Sequence, residues 1–149
     1  MGAIDKLILG RKASFVMNYK QGNVELVKKI FEKGDTSGLW INYKRNLEVR
    51  SKAKPQGYFV KLMGQILEKD DHALLKADFY VNRFILIPFL ILIVGGSALV
   101  FYRTIDEELL QFLSLFYLAG IFQLVWVIVK IHAEAAKIRE SLLKILLDT

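Results

Sequence analysis

FILIPFLILIVGGSALVFY, residues 84–102, runs for nineteen residues without a charge in a chain of 149. A helix rises 1.5 Å per residue, so about 20 residues cross a hydrocarbon core of roughly 30 Å. This stretch meets that length. LLQFLSLFYLAGIFQLVWVIV, residues 109–129, meets it again with no charge. A soluble domain of this size has too little material to cover two apolar helices on every face. The reading is a transmembrane helical hairpin with spans 84–102 and 109–129 and an external loop, 103–108.

Composition agrees. The hydrophobic fraction is 54%, above the roughly 45–50% of soluble domains, and it is concentrated after Phe84. No cysteine is present, which excludes disulfides, thiolate metal sites and cysteine nucleophiles. Both apolar segments lie far from the amino terminus, where a cleaved signal peptide would sit. Met1-Gly2 opens like a myristoylation motif, but position 6 is Lys6 rather than Ser or Thr. Sixteen basic and nine acidic residues precede Phe84, whereas RTIDEE, residues 103–108, holds one and three. Cytoplasmic flanks carry the excess of Lys and Arg, so both termini are expected in the cytoplasm.

A turn near residues 105–106 sets Gly95, Gly96 and Ser97 of the first span close to Ala119 and Gly120 of the second. Small residues let helix backbones approach closely in lipid. Pro88 removes an amide donor and leaves the Phe84 carbonyl without its helical partner. The same pairing sets Gln123 opposite Pro88, where its amide is expected to satisfy that carbonyl. The competing role for Gln123 is a place in a polar path through the bilayer.

Residues 1–83 read as a small cytoplasmic α+β domain. SFVMNY, Ser14–Tyr19, alternates as a strand. NVELVKKIFEKG, Asn23–Gly34, has Val24, Val27, Ile30 and Phe31 at helical spacing, with Asn23 as cap and Gly34 as terminator. GLWINYKRNLEVRSK then alternates with Ile41, Tyr43, Leu47 and Val49 on one face, Arg45 and Trp40 being out of phase. YFVKLMGQILEK and ALLKADFYVNRF supply two more strands about the turn EKDDH, residues 68–72. The expected domain is one helix across a four-stranded antiparallel sheet. Its last strand runs into the first span without a linker, which holds the sheet close to the membrane. After the second span, residues 130–149 continue as an amphipathic cytoplasmic helix. Ile131, Ile138, Leu142 and Ile145 form its apolar stripe, which packs on its own domain, on a partner or on a second copy.

Chemistry-bearing motifs are few. Asp70, Asp71 and His72 are consecutive in a turn, a poor arrangement for converging on one ion. His132 and Glu134, two apart on a helix, point to different faces. Gly95-Gly96-Ser97-Ala98 lies within a helix and lacks the second glycine of a nucleophile elbow. There is no phosphate loop and no H-E-x-x-H. No catalytic residue, cofactor or metal is therefore expected. The cluster of weight is basic: Lys44, Arg45, Arg50, Lys52, Lys54 and Lys61, interleaved with Trp40, Tyr43, Tyr58 and Phe59. It reads as a solvated face, or as a surface for anionic headgroups or an acidic protein; the aromatics belong to the alternating core pattern, which argues against nucleic acid.

The run YFVKLMGQILEKDDHALLKADFYVNRF, two strands about a turn leading into an apolar span, resembles small bacterial membrane proteins of no assigned activity. Those place a helix and a short β-meander before a two-helix membrane hairpin. The likeness covers roughly residues 14–130. Their Tyr-Arg-Asn-Ser stretch is lacking, Tyr43-Lys44-Arg45-Asn46 being the nearest counterpart. The resemblance implies a bacterial inner-membrane location and no activity. Together these readings lead to a non-enzymatic, membrane-anchored interaction protein. Such a protein is an accessory subunit of a membrane complex or an immunity-type protein, engaging a protein partner or a second copy. The alternative is a small homo-oligomeric channel or transporter.

Overall fold

The alternating run from Leu39 to Ser51 folds back on itself instead of running straight. In the computed structural model, which describes residues 2–20, 22–52, 57–69, 72–101 and 106–147 except the side chains of Asn23, Lys69 and residues 99–101, it forms two strands. These are β2 (Leu39–Tyr43) and β3 (Leu47–Ser51), paired antiparallel with Tyr43 opposite Leu47. A three-residue turn, Lys44-Arg45-Asn46, separates them. Because residues 43 and 47 are direct partners, the apolar side chains on both arms face the same way. The expected single strand is thus a hairpin, and the four-stranded sheet has five strands. Arg45 falls on the turn, which removes its conflict with the apolar face.

The other strands are β1 (Ser14–Tyr19), β4 (Val60–Lys69) and β5 (His72–Val81), and the antiparallel order is β1-β5-β4-β3-β2. Phe15, Leu47, Val49, Val60, Leu62, Leu75, Ala77 and Phe79 share one face and are buried. Their alternate neighbours point to the open face.

Helix α2 (Asn23–Gly34) lies on β2, β4 and β5 and buries Leu26 and Ile30. Asn23 is its first helical residue rather than its cap, which is Gly22. Gly34 does not end the helix by a left-handed turn; the positive φ comes at Gly38, where the chain reverses into β2. A Cβ at Gly34 would sit 2.0 Å from Ile41 Cδ1, so glycine there serves packing between α2 and β2.

An unforeseen helix, α1 (Ala3–Leu9), and a 3-10 turn, Gly10–Ala13, precede β1. Asp5 is buried within this unit. One of its oxygens accepts from the Gly2 N–H at 2.8 Å, the other from the Val81 N–H at 2.9 Å. Each oxygen of this buried side chain thus has a backbone donor.

The remaining helices are α3 (Arg83–Phe101) and α4 (Glu107–Leu147), the latter 41 residues without interruption. Two compact units result: residues 1–81 with 131–149, and residues 82–130. Among the described residues one helix, α4, is long and apolar enough to cross a membrane. α3 is apolar, but over its described side chains, Arg83–Ala98, it is shorter, about 24 Å against a core of roughly 30 Å. The expected pair of full spans is therefore corrected to one spanning-length helix and one shorter apolar helix.

Candidate interaction surface

Three elements bring a cluster together on the open face of the sheet. Trp40 and Arg50 are direct partners across β2 and β3, and Glu48 is two residues along β3. Lys61 comes from the start of β4, and Tyr58 lies two residues before that strand. The Arg50 guanidinium lies 4.3 Å from the Tyr58 ring centroid and 5.0 Å from that of Trp40. Such distances are those of cation–π contacts. Arg50 Nε donates to Glu48 Oε1 at 2.8 Å, and Nη2 donates to the same oxygen. Lys61 Nζ is 3.4 Å from that oxygen and 5.9 Å from the Tyr58 ring. All three charged side chains are less than a quarter exposed, so their attraction is screened less than that of a surface pair.

Trp40 and Tyr58 thus brace a planar cation, and one carboxylate is shared by two positive groups. The cluster offers rigid aromatic edges and a net positive charge. Trp, Tyr and Arg are residue types that often anchor protein interfaces.

The described residues of the basic patch take different partners. Arg50 and Lys61 belong to this cluster and are partnered by Glu48. Lys52 pairs with Asp35, beyond the end of α2, at 2.6 Å. Lys44 and Arg45 are exposed on the β2–β3 turn, and Lys54 lies outside the described residues. The sequence reading sets Trp40 and Tyr58 beside Arg50 and Lys61 but leaves out Glu48, the carboxylate the two cations share. The legible signal was that 40, 48 and 50 share one parity across a three-residue turn.

In the unit of residues 82–130, α3 and α4 meet at two glycines. A Cβ at Gly96 would come 2.5 Å from the Tyr117 ring, and one at Gly120 would come 2.8 Å from Leu92 Cδ1. Gly95 faces open space, and Ala119 is exposed. Ser97 donates to the Ile93 carbonyl of its own helix at 2.7 Å, and Ser114 likewise to Gln111 at 2.7 Å. Neither hydroxyl offers its proton to a polar path. Pro88 and Gln123 are both exposed, so the expected bond from Gln123 to the Phe84 carbonyl is not made.

The tail stripe lies within the sheet unit, where Ile131, Ile138, Leu142 and Ile145 are buried. Two polar contacts fix it. Glu134 Oε2 accepts from the Phe59 N–H at 3.2 Å, and Arg139 Nη2 donates to the Ser14 carbonyl at 2.7 Å, beside the Phe15 ring. His72 is exposed, and its neighbours 70 and 71 lie outside the described residues. Among the described residues no group of acids and histidines is placed to hold a metal. No family model, curated protein or solved structure matches the chain.

Proposed function

We propose that the protein is a non-enzymatic, membrane-anchored interaction protein that presents its sheet unit on the cytoplasmic side of a bacterial inner membrane. The apolar first half of α4 crosses the bilayer, with the shorter apolar α3 packed beside it. The observation that carries this reading is exposure. Only 11% of the most apolar 18-residue window of α4 is buried, and Phe112, Leu115, Phe116, Phe122 and Trp126 are all exposed. A soluble protein rarely presents an apolar surface of that extent to water. At one end of the stretch stand Glu107 and Glu108, and at the other Lys130 lies 5.4 Å from the Trp126 ring. A tryptophan beside a cation is a usual marker of the interface on the cytoplasmic side.

The partner contact is assigned to the open face, through Trp40, Arg50 and Tyr58, and the partner is a protein of a membrane complex or a toxin acting in the bilayer. Anionic headgroups are the expected lipid contact of the basic flanks. The test is extraction of the full chain from native membranes in mild detergent, followed by light scattering and mass-spectrometric identification. A stoichiometric foreign subunit that is lost from Trp40→Ala supports the reading. A pure homo-oligomer of four or more copies overturns it in favour of a channel.

A further inference from the structure

Helix α1 has two unlike sides. Asp5 and Leu9, one turn apart, are buried against the sheet unit. Ile4 and Leu7 are neighbours on the side turned away, with 43% and 84% of their surface exposed. An apolar face open to this degree on a helix held in place by a buried carboxylate needs a cover. The exposed charge near it in the chain is basic: Lys6, Arg11 and Lys12 are exposed, and the one acid before Glu25 is the buried Asp5.

The anchor of α1 is also the end of the sheet. Asp5 holds the N–H of Val81, and only Asn82 separates Val81 from Arg83, the first residue of α3. Two residues of chain reach about 7 Å at most. Whatever orientation the sheet takes, α1 remains within a few residues' reach of the point where the apolar helix begins.

We propose that α1 is an interfacial docking element that lays Ile4 and Leu7 into an anionic lipid surface, with Lys6, Arg11 and Lys12 against headgroup phosphates. The inference rests on the reading that α3 and α4 enter the bilayer. A short apolar face with Lys and Arg close to it in the chain has the composition that binds in the plane of a membrane, by buried area plus attraction to anionic lipid. Each basic side chain near such a surface adds to that attraction.

The absence of cysteine from the chain gives a direct test. Leu7→Cys and Val24→Cys are made in the full protein and spin-labelled; Val24, on α2, is 81% exposed, so neither change removes a packed group. The variants are placed in nanodiscs containing phosphatidylglycerol, and collision with oxygen is compared with collision with a water-soluble nickel chelate. The expected oxygen-to-nickel ratio at position 7 exceeds that at position 24 several-fold. It falls to the value at 24 when Lys6, Arg11 and Lys12 are changed to Glu. Equal ratios at 7 and 24 overturn the proposal, as does concentration-dependent spin–spin broadening at 7, which would mean a second copy as the cover. Alkaline carbonate extraction of the same variants from cell membranes separates the two levels. Release overturns the membrane reading and this inference together, whereas retention with a water-exposed label at 7 overturns this inference alone.

Discussion

Asp5 accepts a hydrogen bond from the backbone N–H of Val81, so a residue near the start of the chain closes the last position of the sheet. Asp5→Ala leaves that donor and the Gly2 N–H without their buried acceptor. The expected loss is about 1–3 kcal/mol of the stability of the sheet unit. Urea titration in detergent, followed by Trp40 fluorescence, measures it, and Lys6→Ala, exposed on the same helix, should change it by less than about 0.5 kcal/mol.

Gly64 is packed against backbone. A Cβ there would sit 2.5 Å from the Lys76 carbonyl oxygen and 2.6 Å from Ala77 Cα. Main chain cannot rotate aside as a side-chain tip can, so β4 and β5 must separate locally. Gly64→Ala is expected to cost about 1–3 kcal/mol, and amide exchange at Lys76 and Ala77 should accelerate. Gly57→Ala, with nothing within 4 Å, is the matching control.

The buried stripe of α4 carries a third prediction. Ile138→Ala and Leu142→Ala each open a cavity in the core, at about 2–5 kcal/mol. Leu147→Ala, at an exposed position, should cost less than about 0.5 kcal/mol. Denaturation curves for the three variants decide whether the stripe belongs to the core. Equal small effects would show that it does not.

Between α3 and α4 the glycines are unequal. Gly96→Leu and Gly120→Leu press on Tyr117 and Leu92 and should lower the melting temperature in detergent by several degrees. Gly95→Leu should leave it unchanged. Gln123→Leu and Gln111→Leu are expected to match each other, because both glutamines are exposed.

Alternation told which residues of β2 and β3 face the core, but not that the chain turns between them. A three-residue loop keeps parity, so Tyr43 and Leu47 read alike in a straight strand and in a hairpin. The α3–α4 contacts fall within about two positions of the register set by a turn at 105–106. Which of Gly95 and Gly96 faces α4 depends on helix rotation, and small residues side by side carry no signal for that. Sequence proximity groups Lys52 with Arg50, whereas the fold pairs one with Asp35 and the other with Glu48. α1 was invisible because a seven-residue helix is too short for a period to register, and its anchor lies 76 positions away at Val81.

The core of the sheet unit is discontinuous in the chain: residues 131–149 join residues 1–81 with the apolar helices between them. Synthesis proceeds from one end at about 5–20 residues per second. Strands β1 to β5 are therefore translated several seconds before the stripe of Ile131, Ile138, Leu142 and Ile145 that completes their cover. The intervening apolar helices are translated within that interval. A nascent chain halted at residue 130 holds all five strands but lacks part of its core. Until the final helix is made, the apolar surface that its stripe covers stays open.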